Sequence, residues 1–516
     1  MSAYPISSMK KYLLALSILF TVSSFAQVPD DALRTAWFTQ NGTARNIATG
    51  GVMGSLGGDI TAAHINPAGI GLFKTREIVL TPNFLLNNNK FNYRGTDNSG
   101  SANALQNGPI GVIIGSPARS VNSKWTSSAF SISVNQLANY NNHIQYSGTN
   151  NYSSFTEQYL EELVRDKADT NAALSNYIFG SSLAFRAFLI DTTLVGGQLG
   201  YKSLVPISTG VLQKYDAAST GAYQEVALGL AGNMEDKLYI GGSLTIPIIY
   251  YHRDLTYSET DVTGNTNNNF SSFSFHETVN SFGIGVGVKL GMIYKPGESW
   301  RLGFAIHSPQ FIAFKDDIRA SISANTESYA GSRTVTSDQL NSGNTGSREY
   351  NILTPWRAIV SASYVFKEVV NTKNQRGFVS LDIEYVNYRG ARFSATDNSD
   401  QAAKDYYDMV NDEIKDYYKG NLNFKLGGEI KFAPWAFRLG GAYYGSPYAD
   451  NNLKANRLVA GGGIGYRNFG IFIDLGYAQT FMKDVNFPYR LNDVANTYAA
   501  QSGSRGTLSL TVGFKF

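Results

Sequence analysis

Strict alternation of apolar and polar residues runs through most of this chain. The segment 421–432, NLNFKLGGEIKF, places its Leu, Phe and Ile residues on one face and its Asn, Lys and Glu residues on the other. The segments WAFRLGGAYYG at 435–445 and TLSLTVGFKF at 507–516 repeat this period of two. Because successive side chains of a β-strand point to opposite faces, each segment predicts a strand with one apolar and one polar face.

About 14 such strands can be read along the chain, an even number, as bacterial membrane barrels require. They are predicted at 76–94, 108–118, 126–146, 222–232, 237–257, 268–294, 300–324, 347–367, 376–395, 421–433, 435–447, 455–467, 469–484 and 507–516.

The connections between the predicted strands alternate between short and long. The short ones are ARSVNSK, NMED, KPGES, EVVNTKNQ, AP and RN, and the long ones lie at 95–107, 147–221, 258–267, 325–346, 396–420, 448–454 and 485–506. In outer-membrane barrels, short turns face the periplasm and long loops face outside. A soluble sandwich has no reason to sort its loops in this way. We therefore predict an all-β protein, a transmembrane antiparallel β-barrel in the bacterial outer membrane.

Helical periodicity appears only within two of the long connections. The segments 153–180 and 399–420 space their apolar residues three and four positions apart, which predicts helices. Short amphipathic helices usually cover an exposed apolar surface. We therefore interpret both segments as helical insertions that cap the barrel, in preference to partner-binding helices.

The N-terminal residues indicate export. From Met9 the sequence MKKYLLALSILFTVSSFAQ contains two lysines, an apolar stretch and small residues. This order is typical of a secretory signal peptide, with cleavage after Ala26 and Met9 as a possible true start. Its apolar core is well short of the ~20 residues of a membrane-spanning helix. The predicted organisation is a signal peptide at 1–26, a separate segment at 27–75 and a barrel at 76–516.

Composition and motifs argue against several classes of function. The chain has no cysteine, so neither a disulfide framework nor a lipid-modified cysteine is available. A net charge of +3 is too small to indicate nucleic-acid binding. No G-x-S-x-G motif occurs, HETVN at 276–280 is not H-E-x-x-H, and the glycines of GIGVGVKLG at 283–291 follow strand alternation. We predict no enzyme activity, no cofactor and no metal site.

The segment 27–75 departs from the period of two. Within it, GDITAAHINPAGIG at 58–71 concentrates polar residues, proline and glycine. A barrel of about 14 strands leaves a lumen that something must fill. We therefore predict that this segment is a hatch inside the barrel, with Asp59 and His64 as its polar contacts.

The four residues NPAG form the most distinctive part of that segment. They are Asn66, Pro67, Ala68 and Gly69. A residue before proline is pushed out of the helical region, Pro67 fixes φ, and Gly69 permits a positive φ. The motif therefore predicts a rigid turn that serves the architecture of the hatch rather than ligand contact.

An N-terminal hatch carrying NPAG ahead of about 14 barrel strands resembles the FadL/TodX family of channels for hydrophobic compounds. The blocks LGGEIKFAPWAFRLGGAYYGSPY at 426–448 and GGGIGYRNFGIFIDLGYA at 461–478 resemble the late strands of that family. The alternating final strand, which ends in Phe516, resembles the terminal signature of outer-membrane barrels. The likeness spans nearly the whole mature chain.

This resemblance implies a mechanism and a set of partners. Hydrophobic molecules such as long-chain fatty acids would be captured outside, enter an apolar pocket and leave through an opening in the barrel wall when the hatch rearranges. In the family the opening accompanies a kinked third strand, here near 126–147. The implied partners are hydrophobic small molecules, outer-membrane lipids and the barrel-assembly machinery. The fold leaves open an alternative, a FadL-like barrel that serves protein secretion or surface attachment together with secretion-system proteins.

The strand faces predict which residues point into the lumen. The predicted luminal polar residues are Asp382, Glu384, Lys425, Glu429, Lys431, Arg438 and Asp474. The predicted lipid-facing residues are Phe424, Leu426, Phe437 and Leu439. Such a luminal set suits a hydrated or salt-bridged lumen as much as a route for lipids.

Overall fold

A computed structural model describes residues 30–118, 122–366, 376–397 and 399–516. The predicted signal peptide at 1–26 lies outside the described residues, and so does the EVVNTKNQ connection at 368–375.

Strands make up most of the described chain. In order they are β1 Arg76–Leu80, β2 Pro82–Tyr93, β3 Thr96–Asn107, β4 Ile110–Pro117, β5 Trp125–Asn139, β6 Asn142–Asn150, β7 Ile190–Val195, β8 Gln198–Ser203, β9 Val211–Met234, β10 Leu238–Asp261, β11 Ser272–Tyr294, β12 Trp300–His307, β13 Phe311–Asn325, β14 Ser332–Thr336, β15 Gly346–Leu353, β16 Arg357–Phe366, β17 Gly377–Asn387, β18 Arg392–Ala395, β19 Gly420–Phe432, β20 Trp435–Tyr444, β21 Asn456–Asn468, β22 Ile471–Asn486 and β23 Ala499–Lys515.

These strands close into a barrel of 14 antiparallel wall strands. Some wall strands consist of two segments in line, namely β1 with β2, β3 with β4, β5 with β6, β12 with β13, β15 with β16, and β17 with β18. The barrel closes where the last strand pairs with the first, for example Ile78 with Phe514 and Asn83 with Ser509. Because closure pairs the last strand with the first, most of the wall can satisfy its backbone groups in an apolar environment.

The outer face of the barrel is apolar. The predicted lipid-facing residues Phe424, Leu426, Phe437 and Leu439 are 43%, 56%, 50% and 76% exposed. Aromatic pairs lie close to the short turns, with ring centroids 5.2 Å apart for Trp300 and Tyr364 and 5.0 Å apart for Trp435 and Tyr466. A closed barrel with an apolar outer band flanked by aromatic residues is the architecture of outer-membrane proteins. The predicted fold class and outer-membrane location are confirmed.

One predicted loop is wrong. The segment 95–107 forms β3, which pairs with β2 from Tyr93 opposite Thr96 onwards. The connection is a two-residue turn in which Arg94 and Gly95 both have positive φ, the geometry of a tight hairpin. The strand was not predicted because almost all residues of TDNSGSANALQN are polar, so the segment shows no alternation of apolar and polar positions.

Other long connections are shorter than predicted. Within 147–221, β6 continues to Asn150, β9 begins at Val211, and β7 and β8 form a separate hairpin. Within 485–506, β22 continues to Asn486 and β23 begins at Ala499. The wall strands therefore extend beyond the ~10 residues that cross a bilayer.

The α-helices lie in the hatch or in the long connections, and all except the last have at most nine residues. They are α1 Asp30–Arg34, α2 Ala44–Ala48, α3 Ala62–Ile65, α4 Glu157–Arg165, α5 Thr170–Ser175, α6 Ser181–Arg186, α7 Ser337–Leu340 and α8 Gln401–Tyr417, with 3-10 helices at Pro67–Leu72, Ile207–Thr209 and Tyr388–Gly390. None of the described helices is both long and apolar enough to cross a membrane.

The insertions between wall strands cover aromatic residues at the outer end of the barrel. Phe155, just before α4, stacks on Tyr257 with ring centroids 4.6 Å apart and lies 5.2 Å from Phe275. We call Phe155, Tyr159, Tyr257, Phe273, Phe275 and Tyr489, which are all buried, the outer aromatic cluster. In the other insertion, Tyr407 of α8 stacks on Phe393 with centroids 6.2 Å apart.

The two faces of β19 are expected to differ sharply in their tolerance of charge. Leu426, near the middle of β19, is 56% exposed on the outer face. Placing Arg at a lipid-facing midplane position costs about 2–4 kcal/mol, so Leu426→Arg should lower the free energy of unfolding of the barrel in vesicles by that amount. Lys431→Arg, which keeps a cation on the luminal face of the same strand, is the matched control. Equal losses in the two variants would contradict the assigned faces.

Candidate functional site

The hatch, residues 30–75, lies inside the barrel and is buried almost throughout. Inward-facing wall glycines make room for its backbone. A side chain at Gly303 would clash with the carbonyl of Gly54, and one at Gly427 would clash with the carbonyl of Thr49. The wall is therefore shaped to fit this segment closely.

The NPAG residues begin a 3-10 helix and attach it to the wall. Asn66 is extended, with φ −132° and ψ 99°, and its side-chain oxygen accepts a hydrogen bond from the Ala68 amide at 3.1 Å. Its Nδ2 lies 2.5 Å from the Gly54 carbonyl and 3.2 and 3.3 Å from the wall carbonyls of Met292 and Phe304. Asn66 therefore caps the helix and also connects the hatch to β11 and β12.

The predicted role of Gly69 in permitting a positive φ is wrong. Gly69 does not have a positive φ. Instead, a Cβ at Gly69 would lie 2.8 Å from the Cα of Gly57. Glycine is needed here because two stretches of hatch backbone approach each other closely.

Asp59 and His64 make different kinds of contact. Asp59 stays within the hatch, accepting hydrogen bonds from the Thr43 hydroxyl at 2.7 Å and the Thr61 amide at 2.9 Å. His64 reaches the wall: its Nδ1 lies 2.8 Å from Glu225 Oε1 and its Nε2 lies 2.9 Å from Ser133 Oγ. Burial lowers the pKa of His64, although the neighbouring Glu225 carboxylate opposes this effect.

Some of the predicted luminal residues bind the hatch directly. Asp382 Oδ2 accepts hydrogen bonds from the amides of Met53 at 2.9 Å and Gly54 at 2.8 Å. Glu429 Oε2 lies 3.2 Å from Nε of the hatch residue Arg45. These carboxylates fasten the hatch to the wall.

The other predicted luminal residues pair with one another or with wall arginines. Arg438 lies 2.6 Å from Glu429 and 2.7 Å from Asp474, Glu384 lies 3.2 Å from Lys425 and 3.3 Å from Arg357, and Lys431 lies 3.6 Å from Glu429. All are buried except Lys431 and Arg357, which are partly exposed. The lumen at this level is salt-bridged.

The wall is irregular at its third strand, near the kink implied above. The pairing of β5 with β9 shifts register between Gln136 and Ala138. The strand then stops at Asn139 and resumes at Asn142. Among the described strands, β3 forms a backbone ladder with β2 alone, whereas β4 pairs normally with β5. We call the boundary between β3 and residues 135–150 the seam.

Side-chain amides bridge the seam where the backbone ladder is missing. The backbone N–H of Asn107 donates to Gln136 Oε1 at 3.1 Å, and Gln106 Nε2 donates to the Gln136 backbone carbonyl at 3.2 Å. Asn139 Nδ2 donates to the Leu105 carbonyl at 3.4 Å. Such bonds can break without unpairing a strand, so the wall is held together less tightly at the seam than along its laddered strands.

A cavity of about 200 Å³ lies between the hatch and the seam. Its lining is Arg34, Trp37, Phe38, Thr39, Gln40, Asn41, Ile47, Gly50, Gly51, Gln106, Leu137, Ala138, Asn139, Tyr140, Tyr444, Arg457, Val459, Ala478, Thr480, Arg505 and Thr507. The lining combines apolar and aromatic side chains with amides and arginines, and it contains no Asp or Glu. A smaller cavity of about 40 Å³ adjoins it, and Phe38, Gln40 and Leu137 line both.

Two hydrogen-bond donors in the larger cavity have no acceptor among the described residues. They are Trp37 Nε1 and Arg505 Nε. The guanidinium of Arg457 lies over the Trp37 ring, 4.0 Å from its centroid. The electrostatics of this cavity therefore favour a negatively charged group.

No family model matches the sequence, and no curated protein matches it significantly. Solved structures do resemble the fold. The crystal structure of a Pseudomonas aeruginosa FadL homologue matches with a TM-score of 0.55 and 14% identity, over 93% of this chain and 99% of that one. A deltaS2S3 mutant of the TodX monoaromatic hydrocarbon channel matches with a TM-score of 0.50 and 13% identity, over 93% of this chain and 100% of that one.

The fold is that of the FadL-type barrels. Within this FadL-type barrel, the sequence analysis missed several wall residues that bind the hatch. Lys289 Nζ donates to the His64 carbonyl at 3.0 Å and lies 2.5 Å from Glu225, and Arg301 Nη1 donates to the Leu56 carbonyl at 2.7 Å. The signal that could have found them is a charged residue on the inward face of a strand rich in apolar residues.

Proposed function

We propose that this protein takes up hydrophobic compounds with an acidic head group, such as long-chain fatty acids, passively across the outer membrane. The 200 Å³ cavity binds the compound, the hatch rearranges, and the compound leaves laterally through the seam. The observation that carries the proposal is a cavity whose donors have no acceptor, and whose lining has no carboxylate, in the part of the chain that the structure describes.

The cavity chemistry supports an anionic amphiphile. Arg505 is partly buried, and its charged neighbour is another arginine, Arg457. A carboxylate beside Arg505 would relieve this unfavourable arrangement through charge-assisted hydrogen bonds. Leu137, Val459 and Ala478 offer apolar surface for a tail. A neutral hydrocarbon would gain the apolar contacts but not the charge-assisted hydrogen bonds.

The size of the cavity supports a hatch that moves. At about 200 Å³ it is smaller than the roughly 300–1,000 Å³ of typical ligand pockets. A long-chain compound fits only if the surrounding segments separate. The mobile parts are the hatch residues on one side and the seam on the other, because the rest of the cavity wall belongs to laddered strands.

The position of the cavity supports lateral exit. Leu137 to Tyr140 and Gln106 belong both to the cavity lining and to the edges of the seam. A compound that leaves there passes into membrane lipid without crossing water, which its apolar tail favours. Fold likeness to a FadL homologue and to a hydrocarbon channel also agrees with a transport role rather than a catalytic one.

Replacing Arg505 should separate acidic from neutral ligands. Arg505→Gln removes a charge-assisted contact worth roughly 1.5–3 kcal/mol, so affinity for a long-chain fatty acid should fall about tenfold or more. Affinity for a neutral aromatic hydrocarbon should stay unchanged, and so should barrel stability, because Arg505 Nε has no acceptor among the described residues. Binding is measured with the purified protein in detergent by fluorescence displacement.

The matched control is Arg76→Gln, which removes an exposed arginine at the start of β1. It should leave both affinities unchanged. Equal binding of the acid by wild type and Arg505→Gln would overturn the assignment of the head group. Binding of the hydrocarbon alone would place this protein among carriers of neutral compounds.

A further inference from the structure

We propose that Asn41 in the hatch is the latch of the seam. Its side-chain amide holds the two edges of the seam together, and the seam opens when Asn41 moves away. This inference rests on the proposed function in taking the seam as the exit, and it adds the residue that controls that exit.

The contacts of Asn41 join both edges of the seam. Its Nδ2 donates to the carbonyl of Asn107, at the end of β3, at 2.9 Å. The same Nδ2 donates to the carbonyl of Gln136, on the third wall strand, at 2.7 Å. A primary amide has two N–H groups, so one hydrogen serves each edge. In the closed state this side chain takes the place of the missing backbone ladder.

Further contacts hold Asn41 in position. Its Oδ1 accepts a hydrogen bond from Asn83 Nδ2 at 3.0 Å, and its backbone carbonyl accepts one from Asn135 Nδ2 at 3.2 Å. Asn41 is buried, with 6% of its surface exposed. An aspartate in its place would keep the acceptor for Asn83 but would lose both donors to the seam.

Asn41 lies where three neighbouring wall strands are interrupted. The first breaks at Thr81, the second at Gly108 and Pro109, and the third at the register shift after Gln136. A Cβ at Gly108 would lie 2.9 Å from the carbonyl of Gly42, the residue after Asn41. The hatch backbone thus fits into the point where the wall is weakest.

The same residue lines the binding cavity. Gln40 and Asn41 form part of its hatch side, and Gln106 and Asn139 form part of its seam side. A ligand that enlarges the cavity must push these two sides apart. Because the hydrogen bonds of Asn41 join the hatch side to the seam side, a ligand that fills the cavity breaks these bonds and so opens the seam.

A cysteine reporter can test the latch, since the chain has no cysteine of its own. Ala138→Cys places a thiol at a buried position on the seam without removing a side-chain hydrogen bond. In the full-length protein in lipid vesicles, a maleimide that partitions into the bilayer should label this thiol slowly. Adding Asn41→Ala should speed labelling about tenfold, the factor expected for the loss of roughly one net hydrogen bond.

The control background is Asn66→Ala. Asn66 is also a buried hatch asparagine whose amide approaches two wall carbonyls, but it does so between β11 and β12, where the ladder is complete. This change should leave labelling of the seam thiol at the wild-type rate. Equal labelling in the Asn41→Ala and Asn66→Ala backgrounds would overturn the latch.

Asn41→Asp provides a second route if Asn41→Ala does not fold. It preserves the size of the side chain and should also speed labelling, whereas protection as strong as in wild type would contradict the proposal. Labelling needs no ligand, so its result is independent of which compound binds. If Arg505→Gln does not alter acid binding while Asn41→Ala speeds labelling, the substrate assignment fails and the latch stands.

Discussion

A protein lacking residues 27–73 is expected to form an open pore, whereas the intact protein conducts poorly. The wall strands pair with one another, from β1 through to closure with β23, so the barrel should still fold. The luminal charges that now bind the hatch would face water instead of being left buried. Single-channel recording in planar bilayers measures the difference.

A matched control is the double change Asn66→Ala and Pro67→Ala, which should loosen the hatch and raise conductance only slightly. Folding of each variant is checked by its heat-modifiable migration on a gel. Equal, low conductance in the intact and deleted proteins would mean that the hatch is not the plug. The outer aromatic cluster would then be the barrier, and deletion of the connection 153–180 would be the change that opens the pore.

Breaking the buried ion pairs around Arg438 is expected to be among the most destabilising single changes. Arg438 lies 2.6 Å from Glu429 and 2.7 Å from Asp474, and all three are buried. Removing one partner from a buried ion pair costs about 3–5 kcal/mol when the other charge loses its counter-charge. Asp474 would keep a weaker contact with Arg467 at 3.7 Å, whereas Glu429 would keep Arg45 at 3.2 Å. Arg438→Leu should lower the free energy of unfolding by that amount, measured by urea titration of the barrel in vesicles.

Two comparisons separate the stability lost with the Arg438 ion pairs from a nonspecific loss of stability. Lys74→Ala breaks an exposed pair with Asp236 and should cost less than about 1 kcal/mol. Adding Asp474→Asn to Arg438→Leu should restore part of the lost stability, because it removes the charge that Arg438 leaves behind at Asp474, while Glu429 keeps its ion pair with Arg45. A loss for Arg438→Leu no larger than for Lys74→Ala would mean that water reaches this part of the lumen.

The barrel could be predicted from the sequence because its determinants are local. Alternation in 421–432 depends only on which residues face lipid, and the structure shows the same faces in β19. β3 was missed because its polar residues give no apolar face to recognise. Strands could therefore be predicted wherever contact with lipid requires apolar residues at alternate positions. Strands without that alternation could not.

The site was harder to predict because its contacts are distant in sequence. Asp382 binds the amide of Met53, 329 positions earlier, and no periodicity connects two such residues. The role of Asn41 could not be predicted for the same reason. Its side chain donates to the backbone carbonyls of Asn107 and Gln136, and every residue has such a carbonyl whatever its type. The cavity likewise combines residues from the hatch, the seam and the last wall strands, which only the closed barrel brings together.

Uptake of a long-chain fatty acid by living cells tests the central claim most directly. Host cells without a fatty-acid channel of their own would express this protein, and accumulation of the radiolabelled acid would be compared with that of vector-only cells. We expect saturable uptake well above the vector level, and reduced uptake with Arg505→Gln. Uptake no higher than in vector-only cells, with the barrel shown to be folded in the outer membrane, would rule out fatty-acid transport and favour a role in secretion or surface attachment.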